Sequence, residues 1–230
     1  MLIDAYLFVL VYYLVYKSVE ATREVTSPYL KKVLEMLKKK KPSPYVLKCG
    51  RIEFDMRLTP HILVCGLSGQ GKTRFVESLL RNRHDIDIVL LNVFADDLRH
   101  LKARRINTLE DIKSFLETVL DRKYKKPLYV VVDELLALSI ADKTIIKTIT
   151  KLLAAARHYN VFIIAISQAG QKEEIGNKSL FNARVCFKMV ESSSYQVVLG
   201  YAPEDKQLKK REFYYLTDKK GKAIVPRINN

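Results

Sequence analysis

The sequence is short of acid. Forty Lys and Arg face 25 Asp and Glu across 230 residues, a formal charge of +15 and a pI of about 9.6. A surplus of that size favours a polyanionic partner, either nucleic acid or an anionic membrane face. Its bland reading is plain solubility. Cysteine is scarce as well. Cys49, Cys65 and Cys186 stand far apart and form no CxxC pair, so neither a zinc nor a redox motif of that kind is present. Cys65 and Cys186 lie in apolar, strand-like runs and read as small core residues, which fits a reducing compartment. The apolar run Leu2 to Tyr16 falls short of the ~20 residues that usually cross a bilayer. It has no basic start and no small-residue cleavage site after it, so it does not read as a secretory signal. Internal repeats are absent, which excludes solenoids and propellers.

Two readings of Leu2 to Tyr16 stand side by side. One is a short hydrophobic helix that anchors the chain, with Tyr12, Tyr13 and Tyr16 at the interface. The basic residues behind it (Lys17, Arg23, Lys31 and Lys32) would then place the body in the cytoplasm. The other is a segment packed on the body or on a neighbouring subunit. Next comes "SPYLKKVLEMLKKKKPSP", which reads as a short amphipathic helix. Ser27 caps it, Pro28 takes the first helical position, and Leu30, Val33, Leu34 and Leu37 share one face. Lys38 to Lys41 and Pro42-Ser43-Pro44 end it as a linker. This divides the chain into an N-terminal region, 1–44, and a main domain, 45–230.

From about Tyr45 onward the pattern is α/β. Five apolar runs read as strands: "HILVCG", "IDIVLLNV", "LYVVVDE", "VFIIAIS" and "RVCFKMV". Helical stripes separate them. One runs from Lys72 to about Arg81. A second follows the capping box Thr108 to Asp111 and carries Ile112, Phe115, Leu116 and Val119. A third carries Ile145, Ile146, Ile149, Leu152 and Leu153. Continuous apolar strands alternating with helices predict a mainly parallel sheet covered by helices on both faces. "EFYYLTDKKGKAIVPRI" adds a C-terminal β-hairpin around Asp218 to Gly221.

The chemistry is concentrated in "GLSGQGKT". Gly66, Leu67, Ser68, Gly69, Gln70, Gly71, Lys72 and Thr73 match the phosphate-binding loop in full, between a strand and a helix as that motif requires. Glycines let successive N–H groups turn inward on phosphates, and the helix N-terminus adds its positive dipole end. Lys72 reaches the β- and γ-phosphates of ATP, and the Thr73 hydroxyl binds Mg²⁺. Asp133, ending a buried strand, holds the metal's water shell. Glu134, one residue on, is placed to orient or deprotonate the attacking water. An adjacent glutamate of this kind belongs to ATPases of the additional-strand class. Gln168 follows the fourth strand, and carboxyl strand ends face the nucleotide crevice in a parallel sheet.

"LTPHILVCGLSGQGKT", "VVVDELLAL", "AAARHYNVFIIAISQ" and "NARVCFKMVESSSYQVVLG" occur in the order seen in the FtsK–HerA DNA translocases, which the chain resembles from about Leu58 to Leu199. The resemblance implies a RecA-like P-loop core assembled as a homo-oligomeric, usually hexameric, ring around double-stranded DNA. It implies Gln168 as sensor and Arg157 as an arginine finger reaching the neighbouring subunit's site, with Arg184 as the second candidate. Two departures stand out. "AGQKEEIG" replaces the Pro-rich extension after the sensor glutamine. No winged-helix DNA-reading domain follows the hairpin, so sequence-directed orientation on DNA is not expected. The compact size is closer to the genome-packaging and plasmid-transfer members.

The expected function is therefore an ATP-hydrolysing motor that moves double-stranded DNA. Its sequence-independent contacts would come from lysines and arginines, with Arg99 to Arg105 as one candidate pore element. Two rivals remain: a membrane-tethered nucleotide switch, against which Glu134 argues, and a protein-transport ATPase.

Overall fold

A computed structural model describes residues 10–14, 17, 43–94, 96–121, 123–168, 178–205 and 207–227. The chain divides into two units, Met1–Pro42 and Ser43–Asn230. In the first, 10–14 is helical. The amphipathic helix expected after Ser27 and most of the apolar run lie outside the described residues. No helix among the described residues is long and apolar enough to cross a membrane.

The second unit is built on an eight-stranded sheet of order β10-β9-β8-β3-β7-β6-β4-β5. Its strands are β3 (His61–Cys65), β4 (Asp87–Leu91), β5 (Arg104–Ile106), β6 (Leu128–Val132), β7 (Val161–Ser167), β8 (Ala183–Cys186), β9 (Glu212–Leu216) and β10 (Lys220–Ile224). From β8 to β5 every neighbouring pair is parallel. β9 and β10 add the antiparallel hairpin expected at the C-terminus. β3, β6 and β7 are buried along their whole length, which is why they read as unbroken apolar runs rather than alternating ones.

Side chains alternate between two cores. Leu63, Val130, Val132, Ile163 and Ala165 face one way. They meet α2 (Leu109–Val119), α3 (Leu135–Ala141), α4 (Lys143–Ala155) and α5 (Ser192–Leu199). Ile62, Val64, Val131, Phe162 and Ile164 face the other way, onto α1 (Lys72–Leu80). A separate hairpin of β1 (Val46–Cys49) and β2 (Ile52–Asp55) completes that second cover. Thr108, expected to cap α2, does so: the Asp111 N–H donates to Thr108 Oγ1 at 3.2 Å, and Thr108 Oγ1 donates to the Asp111 carboxylate at 2.6 Å. Cys49, Cys65 and Cys186 are all buried and unpaired, as small core residues.

Two elements depart from the reading of the sequence. The β1–β2 hairpin was not anticipated. Arg99 to Arg105, expected as a pore element or solvated loop, ends in a three-residue edge strand, with Arg104 and Arg105 inside β5.

Candidate nucleotide site

β7 lies between β3, which leads into the phosphate loop, and β6, which leads into Asp133 and Glu134. Cys65 pairs with Ser167, and Ala165 with Val132, so the three strands end side by side. The residues that follow them converge. Gly66 N–H donates to the Ser167 carbonyl at 3.3 Å. Gln168 N–H donates to Glu134 Oε1 at 3.3 Å, and its Nε2 to Glu134 Oε2 at 2.8 Å. The structure thus brings Lys72, Asp133, Glu134 and Gln168 to one edge of the sheet.

The loop is fixed by close packing. Gly66, Gly69 and Gly71 have φ of 148°, 70° and 114°. At Gly66 the need for glycine is steric as well: a Cβ there would meet Phe187 Cβ at 2.6 Å. Below the loop, Phe75 of α1 makes edge-on ring contacts with Phe54, Phe187 and Phe213 at 5.2–6.1 Å. Each such pair contributes roughly 0.5–1.5 kcal/mol beyond its burial. The anchored helix therefore presents its first turn, with Thr73, at a fixed place. Two further hydrogen bonds brace the loop: Leu67 N–H to the Lys188 carbonyl at 2.9 Å, and Arg211 N–H to the Gln70 carbonyl at 3.0 Å.

Lys72 is buried and donates through Nζ to the carbonyls of Gly66 and Leu67, at 2.6 and 3.0 Å. Burial lowers its ammonium below the usual range, and the charges of Glu134 and Asp133 oppose that shift. Asp133 moves the other way. Burial, then the charges of Asp97 and Glu134, push it up to about 6, against the Glu134 amide and Lys72. Carboxylates that crowd one another in this way suit a bound cation. With Thr73 in the first turn of the helix that follows the loop, the donor set fits a Mg²⁺–nucleotide. Glu134 has φ 53° and ψ 65°, the left-handed region, which is strained for a residue with a Cβ.

Arg157 sits elsewhere. It belongs to the 3₁₀ turn Ala156–Tyr159, just before the amino end of β7. With Arg57, Lys123, Lys125 and His158 it lines a cleft of about 860 Å³ floored by Tyr45 and Phe162. The seven residues of β7 separate it from Gln168 by about 20 Å. Arg184 is half-buried in β8, donates through Nε to the Phe181 carbonyl at 3.1 Å, and stands beside Gly200. Burial lowers its guanidinium below the ordinary value.

Four residues of the site escaped the sequence reading. Phe187 packs on Gly66, and Arg211 holds Gln70. Asn92 donates through Nδ2 to the Asp133 carbonyl at 3.1 Å, and Asp97 acts electrostatically on Asp133. Asn92 and Arg211 have positive φ, a property their sequence context does not disclose.

A phosphate loop and an acidic strand end, with one extra strand between them, define a P-loop ATPase fold of the additional-strand class. The comparisons agree. A DNA translocase FtsK from Borreliella burgdorferi is 25% identical over 211 residues, covering 72% of this chain. The chain spans about a quarter of that relative's length, 27%. Among solved structures, the pCW3 conjugation coupling protein TcpA with ATPγS superposes with a TM-score of 0.64 at 16% identity, over 80% of this chain and 66% of that one. The Type VII secretion ATPase EccC of Thermomonospora curvata gives 0.62 at 15% identity, over 78% and 28%. The genome packaging NTPase B204 of Sulfolobus turreted icosahedral virus 2 gives 0.57 at 13% identity, over 74% and 98%. No family model matches the chain. In sequence and in fold the chain resembles ATPases of the FtsK–HerA class.

Proposed function

We propose that this chain is an ATP-hydrolysing motor that moves double-stranded DNA. The observation that carries the reading is the meeting of Lys72, Asp133, Glu134 and Gln168 at three adjacent strand ends, behind a full phosphate loop. In this reading Gly66 to Thr73 bind the triphosphate. Thr73 and Asp133 hold Mg²⁺, which neutralises charge on the phosphate oxygens. Lys72 exchanges its loop carbonyls for phosphate. Glu134 takes a proton from the attacking water, and Gln168, already bonded to both carboxylate oxygens, keeps that group aimed at the crevice. Arg157 cannot serve its own site from the far edge of the sheet. It completes the site of a second copy in a homo-oligomeric ring.

Two facts favour DNA as the substrate. The charge is +15, with Arg99, Lys102 and Arg104 exposed, and the curated relative is named a DNA translocase. The likeness to the secretion ATPase EccC supports a second reading, transport of protein. Steady-state ATP hydrolysis with and without duplex DNA separates the two. The DNA reading expects stimulation that is independent of sequence and falls steeply with salt as counterion release is lost. Hydrolysis indifferent to duplex DNA at low salt would favour the protein substrate.

A further inference from the structure

Arg105 differs from its basic neighbours. Arg99, Lys102 and Arg104 are exposed, whereas Arg105 is half-buried and folds back on the segment that follows β4. Its Nη1 donates to the Phe94 carbonyl at 3.2 Å and its Nη2 to the Asp97 carbonyl at 2.7 Å. Asp97 N–H also donates to the Phe94 carbonyl, at 3.0 Å. A planar guanidinium can hold two carbonyls at a fixed separation, which a lysine ammonium cannot reproduce. The segment so held delivers Asp97 into a pocket of about 220 Å³ that it shares with Thr73, Glu77 and Asp96 and with the basic Arg74, Arg99 and His100. β4 lies directly beside β6, so this pocket is next to the strand end that carries Asp133.

We propose that Arg105 is a positioning residue of the nucleotide site: it fixes the backbone that places Asp97 in the pocket beside Thr73, where its charge strengthens binding of the nucleotide-bound Mg²⁺. Asp97 acts through its field and through metal-bound water, not as a direct ligand. This role rests on reading the site as one for a Mg²⁺–nucleotide. Arg105 touches neither nucleotide nor metal. Its contribution depends wholly on Asp97, and that dependence is measurable.

The test is calorimetric titration of the full chain with ATPγS, once with Mg²⁺ and once with EDTA. The quantity read is the gain in affinity that Mg²⁺ confers. In Arg105→Ala that gain should fall about fivefold or more, with the EDTA affinity unchanged. Asp97→Asn should lose as much, and the double variant no more than Asp97→Asn alone, because coupled residues are non-additive. Arg105→Lys should not restore the gain. An unchanged Mg²⁺ gain in Asp97→Asn, or losses that multiply in the double variant, would overturn the proposal. Should Arg105→Ala fail to fold, Arg105→Lys takes its place: it should lose the same Mg²⁺ gain, and an unchanged gain would overturn the positioning role. A wild-type chain that binds no nucleotide in either buffer would instead bring down the proposed function.

Discussion

At single residues, two substitutions probe the site from different directions. Gly66→Ala adds one methyl group against Phe187, at 2.6 Å and at φ 148°. Overpacking of this kind costs about 1–3 kcal/mol. At ~2–4 °C per kcal/mol for a chain of this size, the melting temperature should drop by several degrees. Nucleotide affinity should fall with it, because the shift required is in the loop itself. Thermal unfolding and ATPγS titration read the two effects separately. Glu134→Gln leaves an amide oxygen to accept from Gln168 but removes the proton acceptor. ATP binding should persist, and turnover should fall about 10²–10⁴-fold. Phosphate release near the wild-type rate would move the base elsewhere. Gly66 to Thr73, Asp133 and Glu134 were legible in the sequence because each pairs a distinctive residue type with a strand end. Asn92 and Arg211 were not. Their roles come from positive φ and from partners 41 and 141 positions away, Asp133 and Gln70, which local spacing cannot encode.

At the level of elements, the fully buried strands and the C-terminal hairpin announced themselves, and the shortest half-covered strands did not. β3, β6 and β7 carry apolar residues on both faces. β1 and β2 are four residues each, and β5 has three, two of them arginine. Such short runs hold too few residues to establish a period. In β1 an alternation of buried and exposed residues was there to be found, in Leu47, Lys48 and Cys49. The junction of β3 and β7 has its own pH signature. His61 is buried, and its Nδ1 accepts the Ile163 N–H at 3.1 Å. Its Nε2 makes no hydrogen bond, and the Leu153 backbone partly opposes the effect of burial. Burial, with Arg157 adding to it, lowers the imidazole to about 4. The unfolded imidazole takes up a proton near its ordinary value of about 6.5. Stability from this group is therefore present above that value and is lost as the pH falls toward 4. Between pH 7 and 5 the loss should be about 2 kcal/mol. His61→Gln keeps an acceptor and cannot titrate. Urea unfolding at both pH values should show a smaller pH dependence in the variant by that amount, and an equal dependence would remove His61 as its source.

For the whole molecule, the decisive relation is between opposite edges of the sheet. The nucleotide edge carries Asp96, Asp97, Asp133 and Glu134 among the basic Lys72, Arg74 and Arg99; the far edge presents Lys123, Lys125, Arg157 and His158. If Arg157 completes the site of a second copy, its loss must be repairable between copies. Arg157→Ala alone should bind ATP and hydrolyse it poorly, since such a finger is worth about 10³-fold or more. Mixed with Glu134→Gln chains, it should regain activity, because an Arg157→Ala copy keeps its own Glu134 and can receive Arg157 from its neighbour. The rate against mixing ratio, with exchange of copies confirmed, checks this. Activity that never exceeds the weighted sum of the two variants would sink the finger role of Arg157 and make Arg184 the next residue to test. Arg157 precedes the fourth strand, and in a parallel sheet that puts it on the edge facing away from its own loop. That placement depends on which way β7 runs beside β3.

β7 has a mechanical consequence. Buried at all seven positions and hydrogen-bonded along both sides, it cannot bow or slide without breaking ladders to β3 and β6 together. It is a strut. Gln168 is fixed to one end of it and the turn bearing Arg157 to the other. A change at Glu134 that pulls on Gln168 would load the strut along its axis, whose far end lies about 20 Å away. If the proposed ring forms, one hydrolysis event would be felt by the next copy through this strand, with no intervening hinge.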